Sequence, residues 1–567
     1  MKSEIAWQLS GEAGYGILSS GEMFSKILKR LGYCVFSGTE YPSQIRGGNN
    51  SFTMRASKEK ITSLADKIDL LVALDSASIE MHKGLLSKGS AIICDSGIKA
   101  NIKNSSMIRV AFNELTNKYG AYKKVLMATV GIGASCKALG VEKKIALDLI
   151  KERFKGKNPE VIKSNVEAFI NGYDSIKDNK DFRKKIIKGK DKGLMLINGN
   201  DALSIASIIA GCKLLSCYPM TPTTSIMEYY SKHQESCELM LHQAEDEISA
   251  INVALGASYA GVRSLVATSG GGFALMNEAI SLAGSAEIPA VIVLGQRPAP
   301  ATGLPTRTEQ GDLRYAIHAG HGDFPKLVLA PGDAKDCYEL TLEAFNYSDK
   351  YQLPAIILTD KYLAVSSESL PEFKTSYRIN RGLIENNPKA LERASKFKRY
   401  AFTKSGISPR TLPGTINGMN CSIGDEHDEQ GYIIEEAIDR KKMMDKRERK
   451  FESMKKELRG KGVEVWGDNN SKKVIVSFGS TKGIIIEALK ELKAKFLQIK
   501  IVHPFPAEEL LKKAGKHSKL IVVENNQSGQ LSSLIAQHTQ LKISKKLLKY
   551  DGRHFSISEI IRGCRNV

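Results

Sequence analysis

Cys217-Tyr218-Pro219-Met220-Thr221-Pro222-Thr223-Thr224-Ser225 reads as a strand running straight into a helix. Leu214 to Tyr218 is apolar, has strand character and stops at a proline. Thr221 has the hydroxyl of a helix cap, Pro222 fits a first helical turn, and Ile226, Met227, Tyr229 and Tyr230 supply an apolar face. Such a junction brings a hydroxyl and unpaired backbone N–H groups to the carboxyl end of a strand, where small anionic ligands collect. A well-made helix cap accounts for the same residues without any ligand.

The alternation continues on both sides. A helix at 201–210 precedes the junction, and a helix near 244–259 follows with Ala250, Ala254, Ala257 and Ser258 on one face. Ser264 to Thr268 is a strand leading into Gly270-Gly271-Gly272, Phe273 to Leu282 the next helix, and Ala290 to Gly295 a buried strand. The glycine run lacks a following Lys-Ser or Lys-Thr, so it is no nucleotide phosphate loop. Residues 1 to about 180 repeat the pattern, with a strand at Ile5 to Leu9, a turn Gly11-Glu12-Ala13-Gly14-Tyr15-Gly16, a helix from Ile17 to Leu31, and buried strands at Asp69–Asp75 and Ser90–Asp95. The fold class expected is α/β, with several parallel-sheet domains. Gly-x-x-Gly-x-Gly is not the dinucleotide fingerprint, and no acidic residue stands clearly about 20 positions on, which argues against NAD.

Four further segments follow the junction in order: His242-Gln243-Ala244-Glu245-Asp246-Glu247, Ala267-Thr268-Ser269-Gly270-Gly271-Gly272, Gly295-Gln296-Arg297-Pro298, and Gly303-Leu304-Pro305-Thr306-Arg307-Thr308-Glu309-Gln310-Gly311-Asp312-Leu313. With Tyr218-Pro219-Met220-Thr221-Pro222-Thr223-Thr224 they resemble the α subunit of the thiamine-diphosphate-dependent 2-oxoacid:ferredoxin (flavodoxin) oxidoreductases. The N-terminal turn and Tyr41 to Gly48 resemble that family's separate γ subunit, so the chain looks like a γ–α fusion, and the resemblance covers nearly all 567 residues. It implies a γ-like α/β domain at 1–180, a pyrimidine-type thiamine-diphosphate domain at 194–370, a connector with a basic helix at 371–470, and a transketolase C-terminal-like domain at 471–567.

The resemblance also implies roles. A glutamate hydrogen-bonds the ring nitrogen of the aminopyrimidine and favours the tautomer that takes the thiazolium proton. Glu245, Asp246 and Glu247 are the candidates; the family register selects Glu247, with a slip to Glu245 left open, and the helix dipole alone accounts for acids there. Tyr218 and Pro219 are expected beside the cofactor. Thr221 and Arg297 are expected to hold the 2-oxoacid carboxylate, which suits the planar fork of arginine, with Arg307 as runner-up. Gly14, Gly16 and Arg46 are a possible anion site, and a plain tight turn explains the glycines equally well.

Magnesium, the cofactor's diphosphate and a 4Fe–4S cluster are expected on a β subunit. This chain has neither a Gly-Asp-Gly segment with its asparagine nor a Cys-x-x-Cys pair among its nine scattered cysteines. The expected reaction is oxidative decarboxylation of a 2-oxoacid with coenzyme A to acyl-CoA, carbon dioxide and reduced ferredoxin or flavodoxin, in a heterodimer or dimer of heterodimers. An indolepyruvate oxidoreductase is the alternative, disfavoured by a C-terminus holding only Cys564; a non-catalytic scaffold paralogue is another, disfavoured by Thr221, Glu247 and Arg297 standing together.

Hydrophobic residues make up 42% and charged residues 25%, ordinary for a globular protein. Without an apolar run of about 18 residues or a secretory leader, a cytoplasmic protein is expected. The net charge of +20 gathers in Lys177–Lys192 and Arg440–Lys461, read as solvated linkers and helix faces that also attract anionic partners. No nucleic-acid module accompanies it. Asp425-Glu426-His427-Asp428-Glu429 has metal-binding side chains but no ligand spacing, and reads as a solvated loop or interface.

Overall fold

Ile5, Trp7 and Leu9 alternate on one face of the strand Glu4–Glu12, and all three are buried. In the computed structural model, which describes residues 4–43, 48–177, 182, 184–393, 397–515 and 518–565, this strand lies inside an eight-stranded sheet. Its order is Ser105–Val110, Leu86–Asp95, Ile68–Ala73, Glu4–Glu12, Asn49–Ser57, Cys34–Glu40, Ser367–Leu370, Met195–Asn198. Helices Ile17–Arg30, Lys123–Leu139 and Pro159–Asp174 cover the Trp7 face through Phe24, Ile27, Val130 and Phe169, and the Trp7 indole N–H donates to Ser135 Oγ at 3.0 Å. The α/β alternation holds, and within it this sheet is mixed. Glu4–Glu12 pairs in parallel with Ile68–Ala73 but antiparallel with Asn49–Ser57, which is also antiparallel to Cys34–Glu40. The reason is local: only Tyr41 to Gly48 separates those last two strands, too short for the crossover that parallel neighbours need.

The chain forms two compact units. One comprises 1–197, 365–372 and 556–560; the other holds 198–364, 373–555 and 561–567. The second unit carries two sheets. The larger has the order Ile501–His503, Leu327–Leu329, Pro354–Asp360, Ala290–Gln296, Ser264–Thr268, Leu214–Cys217, Met240–Gln243. It is parallel except where Ile501–His503 joins Leu327–Leu329. Its central strands are buried along their whole length and mostly apolar, with polar Gln296, Thr359 and Asp360 at their carboxyl ends, as expected of strands covered on both faces. The smaller sheet, Val463–Gly467, Lys495–Ile499, Lys473–Phe478, Lys519–Glu524, Ile543–Leu548, is parallel but for its first strand. One hydrophobic core runs through both, from Ile292 and Leu358 to Val476 and Val522.

An expected boundary moves. The helix expected over Phe273–Leu282 is two, Gly270–Leu275 and Asn277–Ser285. The basic helix, Ala437–Leu458, departs from the reading as a solvated face. Lys446 and Lys450 are fully buried and both donate to Glu287, itself fully buried in the turn before Ala290–Gln296. Lys450 Nζ lies 2.7 Å from Glu287 Oε2 and 2.9 Å from the Gln352 carbonyl. Burial alone would raise the Glu287 carboxyl, but Lys446, Lys450 and Arg399 overcome it and hold it well below the ordinary carboxylate range. Within the connector, His427 is buried against the Tyr400 ring rather than solvated. Among the described residues no group of three or more His, Cys, Asp or Glu is placed to hold a metal ion, and no helix is long and apolar enough to cross a membrane.

Candidate active site

The strand Ala290–Gln296 ends at the centre of the larger sheet and delivers Gln296 and Arg297 to its carboxyl edge. Gln296 is clamped there: Nε2 donates to the Thr359 carbonyl at 3.1 Å, and Oε1 accepts the Asp312 N–H at 3.0 Å. Arg297, partly buried, donates from Nη1 to the carbonyl of Thr221 at 2.8 Å. Arg297 and Thr221 are therefore neighbours. Thr221 does not cap the helix, however. The Thr221–Pro222 peptide is cis, residues 221–223 form a turn, and the helix is Thr224–Cys237. Thr223 takes the cap position with no side-chain capping bond, its hydroxyl donating instead to the Met220 carbonyl at 2.9 Å. Tyr218 is 41% exposed and Pro219 is exposed beside it, so both stand at the surface of this edge.

The three acids after Gln243 separate by environment. Glu245 is exposed. Asp246 caps the helix Glu247–Tyr259 by accepting the Ser249 N–H at 2.7 Å. Glu247 is 4% exposed, and its Oε1 is buried without a hydrogen-bond partner. That carboxylate rests on the glycine turn. A methyl group at Gly272 would lie 2.2 Å from both Glu247 Oε1 and Thr268 Oγ1, and one at Gly270 would lie 2.9 Å from Asp312 Oδ2. Ser269 Oγ and Asp312 Oδ2 are also buried and unpartnered. Buried polar atoms are ordinarily satisfied, so unpaired acceptors converging on one turn fit a ligand that brings N–H or O–H donors.

Charge at this edge is finely set. Burial lowers the Arg297 guanidinium, which Asp312 opposes. Burial pushes Asp312 up to about 6, with Arg297 pulling the other way. Burial, then the charge of Asp312, pushes Glu309 up to about 7. Gln310, between these two acids, is bonded at both ends: its N–H donates to the Asn525 carbonyl at 2.7 Å, its Oε1 accepts the Asn525 N–H at 3.1 Å, and its Nε2 donates to the Phe478 carbonyl at 3.0 Å. The loop bearing both acids is thus tied to the smaller sheet. The stem of Arg307 lies beside Gly552. Gly14 and Gly16 have positive φ (94° and 67°) in the other unit, with Gly16 at the start of the helix Ile17–Arg30, which is what a tight turn requires. Arg46 lies outside the described residues.

Sequence reasoning assigned no role to Asp312, Glu309 or Ser269, although all three fall within the ordered segments; what singles them out is burial without a partner or a shifted carboxyl, visible only in three dimensions. Gly272→Ala is expected to displace the Glu247 carboxylate and cut cofactor retention sharply while leaving secondary structure intact. Cofactor content of the purified complex, set against its circular dichroism, checks this; full retention would show that the turn has room.

Three family profiles match in succession: "Pyruvate ferredoxin/flavodoxin oxidoreductase" over residues 6–175, "Pyruvate flavodoxin/ferredoxin oxidoreductase, thiamine diP-bdg" over 205–446, and "Pyruvate:ferredoxin oxidoreductase core domain II" over 471–560. A 2-oxoacid:ferredoxin oxidoreductase α subunit from Sulfolobus is 32% identical across 98% of this chain and 96% of its own length. The chain belongs to the 2-oxoacid:ferredoxin oxidoreductase α-subunit family. A 2-oxoglutarate oxidoreductase subunit of Mycobacterium tuberculosis, 28% identical over 99% of this chain and 91% of its own, is a further relative. In this oxidoreductase family the solved 2-oxoglutarate:ferredoxin oxidoreductase of Magnetococcus marinus, with 2-oxoglutarate, coenzyme A and succinyl-CoA bound, superposes with a TM-score of 0.91 at 31% identity, covering 99% of both chains.

Proposed function

We propose that this chain is the fused γ–α subunit of an enzyme that oxidatively decarboxylates a 2-oxoacid, transfers the acyl group to coenzyme A and passes electrons to ferredoxin or flavodoxin in the cytoplasm. The observation that carries this reading is Glu247: a carboxylate buried on a glycine turn with one oxygen left unpaired. Glu247 holds the ring nitrogen of the thiamine aminopyrimidine, and Tyr218 and Pro219 border it. When bound, thiamine diphosphate supplies the electron sink for loss of carbon dioxide. Thr221 and Arg297 orient the substrate carboxylate, Arg297 presenting its guanidinium from a strand end fixed by Gln296. A β subunit supplies magnesium, the grip on the diphosphate and the 4Fe–4S cluster, so the chain is inactive alone. Residues 194–370 form the pyrimidine-type domain, 371–470 the connector, 471–567 the transketolase C-terminal-like domain and 1–180 the γ-like domain, where Gly14, Gly16 and Arg46 offer an anion site.

The test is reconstitution. The chain with its cysteine-rich partner reduces viologen in the presence of a 2-oxoacid and coenzyme A, and neither chain does so alone; activity of this chain by itself would end the half-site reading. Arg297→Ala raises KM for the 2-oxoacid about 10–100-fold, the loss of a charge-assisted hydrogen bond of roughly 1.5–3 kcal/mol, with cofactor content unchanged. An unaltered KM would move the role to Arg307.

A further inference from the structure

The loop 308–312 reaches the site through the Asp312 N–H, which donates to Gln296 Oε1 at 3.0 Å, and Gln296 immediately precedes Arg297. Its seat lies on three other segments. The Thr308 N–H donates to the Gly552 carbonyl at 3.3 Å, and the Thr308 hydroxyl accepts the Tyr362 N–H at 3.2 Å. Gln310 Nε2 donates to the Phe478 carbonyl at 3.0 Å. One side chain gathers these three segments. His554 stands two residues after Gly552. Its ring stacks on the Tyr362 ring with centroids 3.8 Å apart and planes 10° from parallel. Its Nε2 lies 3.2 Å from the carbonyl of Ser480, two residues after Phe478 and at the start of the helix Thr481–Ala488.

The other ring nitrogen, Nδ1, lies 3.2 Å from the carbonyl of Phe555, the next residue in the chain. A carbonyl oxygen only accepts, so each contact needs an N–H on that nitrogen, and a neutral imidazole carries one. An N–H on Nδ1 closes a local turn; an N–H on Nε2 joins two segments 74 residues apart. We propose that His554 is a positioning residue for substrate capture: through the Nε2–Ser480 bond and the stack on Tyr362 it holds the loop 308–312 against Gln296 and so fixes the bearing of Arg297. This rests on the reading that Arg297 holds the 2-oxoacid carboxylate. His554 itself touches no substrate. The Gln296 amide is gripped between the Thr359 carbonyl and the Asp312 N–H. When the loop drifts, one jaw of that grip moves, and the guanidinium on the following residue moves with it. A shift of about 1 Å in a positioning group costs up to about 10²-fold, so a bond this remote is felt at the carboxylate.

Two variants of the reconstituted complex test it, assayed separately with 2-oxoglutarate and with pyruvate. The amide nitrogen of glutamine reaches where Nε2 stands, and that of asparagine where Nδ1 stands. His554→Gln therefore keeps the Ser480 bond, and His554→Asn keeps the Phe555 contact alone. KM for the 2-oxoacid is expected to rise about 3–10-fold in His554→Asn, the loss of one hydrogen bond. In His554→Gln it rises less than about twofold, with kcat and bound thiamine diphosphate unchanged in both. Equal KM values in the two variants overturn the proposal, because a general loosening or the loss of the stack would treat them alike; so does a larger rise in His554→Gln. Thr308→Val keeps its shape and loses the hydroxyl that Tyr362 bonds, and serves if a His554 variant fails to assemble. KM rises there with kcat unchanged, and a wild-type KM overturns the proposal. Arg297→Ala separates this from the reading beneath it. A raised KM there beside a wild-type KM in His554→Asn removes only the remote positioning; an unaltered KM there removes Arg297 as the substrate anchor and the role of His554 with it.

Discussion

Glu247→Gln is expected to lower 2-oxoacid-dependent viologen reduction about 10²–10⁴-fold, the range over which a positioned acid–base group acts, in a complex that still assembles. Glutamine keeps the length and can fill the space above Gly272, so packing changes little. It loses the negative charge that would hold a proton on the ring nitrogen, and it puts either an amide oxygen or an NH₂ where an unpaired carboxylate oxygen now lies. The effect should fall on kcat, because the interaction strengthens as the proton moves, with assembly by size-exclusion as the control. Glu245→Gln, on an exposed side chain, is the matched comparison and should change little. Full activity in Glu247→Gln together with a collapse in Glu245→Gln would mean that the register has been misread by two residues.

Glu287→Gln is expected to destabilise the second unit by about 3–5 kcal/mol, the usual cost of removing one partner from a buried ion pair. Glu287, Lys446 and Lys450 are all essentially inaccessible, and Lys446 is already pushed down to about 8 by burial against the pull of Glu287. Glutamine leaves two ammonium groups with no counter-charge, near the Arg399 guanidinium, which donates to the Glu287 carbonyl at 2.8 Å. Thermal or denaturant unfolding measures the loss, and replacing Glu287, Lys446 and Lys450 together with methionine should recover most of it, since an apolar cluster of like volume replaces buried ions at little cost. No loss in Glu287→Gln would show that solvent reaches the lysines. The pH dependence has a definite sign. The Glu287 carboxyl is held below its unfolded value, so its contribution is present above the ordinary glutamate range near pH 4.5 and is lost as pH falls further toward the folded value.

Much of the second unit was legible because its strands are continuous apolar runs bounded by turn residues. Ser264–Thr268 lies where its β-branched pattern ends against three glycines, and Ala290–Gln296 extends the expected strand by one residue. What escaped is what sequence pattern does not encode. The threonines after Pro222 all have capping side chains, and composition alone does not say which begins the helix; the turn at 221–223 delays it to Thr224. The charge run 440–461 read as solvated because Lys446 and Lys450 find their counter-ion some 160 residues earlier in the chain. A trace of the truth lay in Met443, Lys446, Lys450, Phe451, Met454 and Leu458, spaced to share one buried helical face. At the site, two of the residues the resemblance points to, Thr221 and Arg297, lie in direct contact. Unpaired acceptors such as Asp312 Oδ2 have no signature in a linear code.

The core shared by the two sheets of the second unit, with Gln310 bonded to Asn525, makes the smaller sheet a buttress and not a detachable module. Cutting the gene ahead of it would expose the apolar backs of both sheets and untie the very segment that carries Glu309 and Asp312. Engineers who wish to split this polypeptide should therefore leave that seam closed.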